Sequence, residues 1–259
     1  MYFQRIVSLA PSNTESVFSL EAGSRLVGVT DYCNYPEEAK LIEKIGGFST
    51  PDIEKMLSLS PDLVLGMDFH QKMGIPQKIE EKGIPCPLLS SASLLDAPKN
   101  IVHVGKMLGC EEKAKEIARE LESKMNGILK KAKRATRKVR VCYLCDINCT
   151  AWRSCYMSRL IELLGGLNIA KNIQGKNRNS LVMKICLQDP EVIIFSKGHT
   201  ESRDLLSLVI KSPLFWETKA YKRNRIYSLK AELISRPGPR AAKGLETLAR
   251  FIHPELFEE

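Results

Sequence analysis

The chain has 259 residues, 44% of them hydrophobic, which suits one large domain or two of about 110 to 130 residues. No run approaches the roughly 20 apolar residues of a membrane-spanning helix, and Ile6 to Ala10 is too short for a secretory leader, so the chain reads as soluble: extracytoplasmic if a leader has been cleaved, cytoplasmic if Met1 is the native start. A formal charge of +9 favours anionic contacts, but the basic stretches Lys130 to Arg140 and Lys219 to Arg225 form no nucleic-acid motif, and the first reads as cations opposing a helix macrodipole.

In chain order, short apolar runs at Ile6 to Ala10, Leu26 to Thr30, Leu63 to Met67 and Pro85 to Leu89 are expected strands. Helical patterns at Thr14 to Leu20, Asp52 to Leu59, Pro76 to Lys82 and Leu94 to Leu108 alternate with them, and Ser12 with Glu15 suggests a capping box after the first strand. From Glu111 to about Arg134, Ala114, Ile117, Ala118, Leu121, Met125 and Ile128 recur at helical spacing, which predicts one long amphipathic helix. The alternation then restarts with a strand at Val139 to Leu144, helices at Met157 to Leu164 and Leu181 to Leu187, strands at Val192 to Phe195 and Arg225 to Leu229, and a last helix from Pro239 to Ile252. Gly165-Gly166 reads as a helix stop.

The halves echo each other: Ser60-Pro61-Asp62 leads into Leu63-Val64-Leu65, and Asp189-Pro190-Glu191 into Val192-Ile193-Ile194. The expected fold class is therefore α/β, with two Rossmann-like lobes of parallel sheet joined by a long linker helix: lobe 1–110, linker 111–135, lobe 136–259. Ligands of open parallel sheets sit beyond the carboxyl ends of the strands, which places the expected ligand in a cleft between the lobes.

The segments RIVSLAPSNTE, VGVTDYCNYPEEA and KIGGFSTPDIEKMLSLSPDLVLG, followed by LIELLGGLNIA, DPEVIIF and ISRPGPR, resemble helical-backbone (class III) solute-binding proteins of ABC transporters, the cobalamin-binding subgroup most of all. That resemblance implies a monomeric, non-enzymatic carrier. It would hold a metal-containing small molecule, a corrinoid first and a ferric siderophore or haem second, and deliver it to an ABC permease. Carried over residue by residue, it implies ligand contacts at Ser12, Asn13, Tyr32, Tyr35, Met67, Phe69, His70, Arg236 and Arg240, and Trp152 and His199 are further candidate ligand contacts. Where relatives present an acid on each lobe for permease docking, this chain has Met73 and Ser235, with Glu232 close by.

The residues themselves leave alternatives open. Cys142 alternates away from Cys145 on its strand and reads as core, as do Cys86, Cys110 and Cys186. Cys145, Cys149 and Cys155 fall at or past the strand's carboxyl end and, with Cys33, form either a thiolate metal or iron–sulfur site or simply accessible thiols. The metal reading supports a different class of function, a cytoplasmic carrier of a corrinoid or iron–sulfur cofactor. His70 and His199 follow equivalent strands and are either axial ligands for cobalt or iron or solvated loop histidines, whereas His103 and His253 read as structural. Arg236, Arg240, Lys176 and Arg178 either hold phosphate, amide or carboxylate groups or form a solvated rim. No nucleophile elbow, phosphate-binding loop, dinucleotide fingerprint or zinc-protease motif is present, and no cofactor is required.

Overall fold

A computed structural model describes residues 2–144, 156–172, 178–197 and 209–258. The chain forms two compact units, Met1–Ser123 with Arg236–Ala241, and Lys124–Ser235 with Ala242–Glu259. The division falls inside the helix Glu111–Ala132, and the segment 236–241, which sequence order groups with the C-terminal lobe, packs with the first unit. No helix among the described residues is long and apolar enough to cross a membrane.

The first unit carries strands β1 (Ile6–Ser8), β2 (Leu26–Val29), β3 (Leu63–Met67) and β4 (Leu88–Leu89) in the parallel order β2-β1-β3-β4. All residues of β1 and β3 are buried, as strands covered on both faces require. Helices α1 (Pro11–Ser19), α2 (Ile53–Ser58), α3 (Asp68–Gln71), α4 (Ile75–Glu80) and α5 (Ala97–Leu108) surround the sheet, and Val7, Leu9, Ile45, Met56, Val64 and Ile79 form its core. Asp52 caps α2 by accepting from the Lys55 N–H at 3.0 Å. Helix α6 (Glu111–Ala132) follows α5 and opens on Glu111 and Glu112, closing on Lys130 and Lys131 as the dipole favours.

The second unit repeats the plan. Strands β5 (Val139–Leu144), β6 (Gly166–Asn168), β7 (Val192–Lys197) and β8 (Ile226–Lys230) lie in the parallel order β6-β5-β7-β8. Its helices are α7 (Tyr156–Leu163), α8 (Arg178–Leu187), α9 (Pro213–Trp216), α10 (Lys219–Lys222), α11 (Ala231–Ser235) and α12 (Ala241–Ile252). Cys142, Leu144, Ile185, Ile193 and Phe215 build one part of its core.

The sequence echo has a structural basis. Ser60 and Asp189 both adopt left-handed backbone, with φ of 48° and 47°, immediately before the proline. An arginine at the start of each central strand clasps that turn: Arg5 donates to the carbonyls of Leu59 (2.6 Å) and Ser60 (3.0 Å), and Arg140 to that of Asp189 (2.8 Å). The acid after the proline returns the contact, Asp62 accepting from the Arg5 N–H (2.9 Å) and Glu191 from the Arg140 N–H (3.1 Å). A residue pair far apart in sequence thus fixes the register of the two central strands in each unit.

Three expectations are corrected. Ser12 and Glu15 are not a capping box, because α1 starts at Pro11, whose missing N–H costs nothing in the first turn, and both residues turn inward. Gly165 does end α7 with φ +77°, but Gly166 opens β6, so the glycine pair joins a helix directly to a strand. His103 faces solvent on α5, while His253 is buried as expected, between Glu255 (2.9 Å) and the Gly165 carbonyl (3.3 Å).

Candidate functional site

The carboxyl ends of β1, β2 and β3 bring most of the first unit's candidate residues together, in two layers. The lower layer is closed to solvent. Asn13 donates its amide to the carbonyls of Leu65 (3.1 Å) and Gly66 (3.0 Å), tying the first turn of α1 to the end of β3. Ser12 donates to Asn13 Oδ1 (3.4 Å) and lies 3.7 Å from the Met67 sulfur. Ser12, Asn13 and Met67, three of the expected ligand contacts, are all buried.

Below the upper layer sits a carboxylate that the sequence reading missed as a site residue. Glu15, its side chain 2% exposed, accepts from Arg240 through Nε (2.8 Å to Oε2) and Nη2 (2.6 Å to Oε1), and from Arg236 Nη1 (3.2 Å). A buried carboxylate stabilises a fold only when paired in this way. Two guanidinium groups thus converge on one buried carboxylate. Arg236 also donates to Asn34 Oδ1 (2.8 Å) and the Tyr32 carbonyl (3.1 Å), and Arg240 stacks 4.1 Å over the Tyr35 ring. The C-terminal segment therefore shapes the tyrosine loop of the first unit. Its close approach requires Gly238, where a Cβ would stand 3.2 Å from the Ser12 carbonyl oxygen. From the other side the Lys44 ammonium donates to the carbonyls of Cys33 and Ala39, both at 3.0 Å.

The upper layer is aromatic and open. Tyr32 is 60% exposed, Tyr35 48% and Phe69 41%, and Phe69 stacks on Phe48 with centroids 5.3 Å apart. Phe48, in the Gly-Gly-Phe-Ser-Thr-Pro turn, is a second residue the sequence reading did not single out.

His70 is not a solvated loop residue. Helix α3 turns it fully inward, where its Nδ1 accepts from the Met67 N–H (2.9 Å), so its Nε2 carries the proton and donates to the Phe48 carbonyl (2.9 Å). Burial holds its pKa below the usual histidine value, against the opposing pull of the Phe48 carbonyl and Asp68. Both ring nitrogens are engaged in hydrogen bonds.

Cys33 is also enclosed rather than accessible, its sulfur 3.2 Å from the hydroxyls of Thr14 and Thr30. Its expected partners Cys145, Cys149 and Cys155, together with Trp152, His199 and Lys176, lie outside the described residues, as does the Arg178 side chain. Among the described residues no group of three or more His, Cys, Asp or Glu is arranged to hold a metal ion. Cys86, Cys142 and Cys186 are buried, and desolvation raises each thiol, that of Cys86 to about 12, so they are inert packing residues. Cys110 is half-buried.

This arrangement offers exposed aromatic rings beside two arginines held by a buried carboxylate. The periplasmic binding protein family model matches residues 6–233. The chain is 29% identical to YvrC, an ABC transporter substrate-binding lipoprotein of Bacillus subtilis, over 99% of this chain and 82% of that one. It is 26% identical to a vitamin B12-binding protein of Vibrio parahaemolyticus, covering 93% and 86% of the two chains. Among solved structures, the periplasmic heme-binding protein RhuT from Roseiflexus sp. RS-1, in apo form, superposes with a TM-score of 0.81 at 25% identity, over 98% of this chain and 99% of that one.

Proposed function

The chain belongs to the periplasmic binding protein family and is a solute carrier, not an enzyme, and from that premise we propose that it captures a corrinoid outside the cytoplasm and hands it to an ABC permease. The observation that carries this reading is the exposure of Tyr32, Tyr35 and Phe69 at the strand ends, with Arg236 and Arg240 packed against the tyrosine loop. Aromatic faces suit the broad apolar faces of a macrocycle, and guanidinium groups suit the phosphate and amides at its edge. The closed state of His70 supports a corrinoid over haem: cobalamin brings its own axial base, whereas haem iron takes its axial ligand from the protein. Capture at nanomolar concentration needs about 12 kcal/mol, which burial of a macrocycle on a preformed surface supplies at little conformational cost.

Haem is the second reading, because Tyr32 and Tyr35 place phenol oxygens, the alternative ligands for ferric iron, on the same surface, and RhuT is named for heme. Calorimetric titration with cyanocobalamin, cobinamide, hemin and a ferric hydroxamate tests both. Tight binding of the corrinoids with weak binding of hemin is expected. Tight binding of hemin alone selects the second reading, and saturation by neither macrocycle overturns both.

A further inference from the structure

Away from the aromatic site, the second unit carries an apolar surface that its fold does not use. Helix α8 is apolar on two sides: Val182, Ile185 and Cys186 face the core, whereas Met183 and Leu187 face solvent, Leu187 at 66% exposure. Helix α9 packs against α8, and the Ser212 hydroxyl bonds to the Cys186 thiol on the core side of α8. On and just before α9, Ile210, Leu214 and Trp216 are exposed, Trp216 at 49%, and the Trp216 indole N–H donates to the Ile210 carbonyl (3.1 Å), holding those two together.

Charge decides what covers this patch. Lys211, Lys219, Lys222 and Arg223 are exposed around it, Lys219 beside Asp189 and Lys222 beside Glu217, and the stretch 209–225 holds five basic residues against one acidic one. A second copy would set those cations against their own kind. A shallow patch ending in an indole, with cations at its margin, matches instead the interface of a bilayer with negative headgroups, where tryptophan settles at headgroup depth and lysines attract anionic lipid.

We propose that the α8–α9–α10 face of the second unit is a membrane-docking surface for anionic phospholipid. It stands apart from the ligand reading, since none of its residues belongs to the aromatic site. The test is co-sedimentation of the full chain with phosphatidylglycerol–phosphatidylcholine vesicles and with pure phosphatidylcholine vesicles. Binding to the first only is expected, lost in about 0.5 M salt, where the screening length falls to about 4 Å. Lys211→Glu with Arg223→Glu, both fully surface changes, should weaken partitioning about fivefold per residue, and Trp216→Ser about tenfold, with unchanged thermal unfolding. No binding to phosphatidylglycerol, or equal binding by the charge-reversed variant, overturns the proposal. Lipid-independent dimerisation that Trp216→Ser abolishes also overturns it, by assigning the face to a second copy.

Discussion

The two units share a scaffold and differ in what they build on it. Each sets four parallel strands in the same order and clasps the turn before its third strand with an arginine and an acid, Arg5 with Asp62 in one and Arg140 with Glu191 in the other. The clasps are not equally deep: Asp62 is exposed, whereas Glu191 is buried and also accepts from Arg137 at 2.7 Å. The first unit keeps its outer strand to two residues and invests the carboxyl ends of its strands with Glu15, two arginines and an aromatic surface. The second pairs β7 with β8 along five residues and places apolar side chains on the outside of its helices. A repeated device thus secures the fold, leaving strand ends and helix faces to diverge towards different partners.

The largest effect should come from breaking what only the first unit has. Glu15→Ala leaves two guanidinium groups without their buried counter-ion and should cost about 3–5 kcal/mol in urea unfolding, releasing the tyrosine loop and abolishing ligand binding. The shared clasp then ranks by depth: Glu191→Ala should cost about 2–3 kcal/mol and Asp62→Ala about 1 kcal/mol or less, both read by chemical unfolding. Equal costs would mean that burial does not set the strength of the clasp.

Acid should separate the units next. His70 is held below its unfolded value of 6.5, so the unfolded chain binds its proton first, and first-unit stability declines as pH falls below 6.5 towards the folded value. In the second unit, burial of Glu191 raises its pKa, but the Arg140 N–H and Arg137 outweigh it and hold the carboxyl below 4.5. Asp189 is likewise held below 3.8 by Lys219 and Arg140 despite its own desolvation. Their stabilisation is complete above those values and is lost only as pH falls through the folded ones. Hydrogen exchange followed from pH 7 to 4 should therefore show the first unit loosening first, and NMR should find His70 still neutral at pH 6.5. The smallest expected difference is in the sheet edges at neutral pH, with amides of the β7–β8 ladder outlasting those of β3–β4.

What the sequence revealed follows the range of its signals. Val139–Leu144 and the long helix Glu111–Ala132 were legible because their patterns are local and sustained, and the Pro-acid echo because it repeats. Strand β6 was hidden because its three residues begin on the second glycine of a pair that looks like a plain stop, and α3 because a single turn has no periodicity to read. Burial of His70 follows from that one turn. The Glu15–Arg240 pair joins residues 225 positions apart, which no local pattern registers. One clue was available: a glutamate on the inner face of an otherwise neutral helix needs a cation, and the Arg236 and Arg240 of the Arg-Pro-Gly-Pro-Arg segment supply two.

The central claim is that the solute lies on the aromatic, arginine-flanked strand ends of the first unit. Hydrogen exchange with and without saturating cyanocobalamin tests it most directly. Protection should rise in the peptides holding Tyr32 to Tyr35, Met67 to His70 and Arg236 to Arg240. A bound corrinoid that leaves all three unchanged would contradict the assignment.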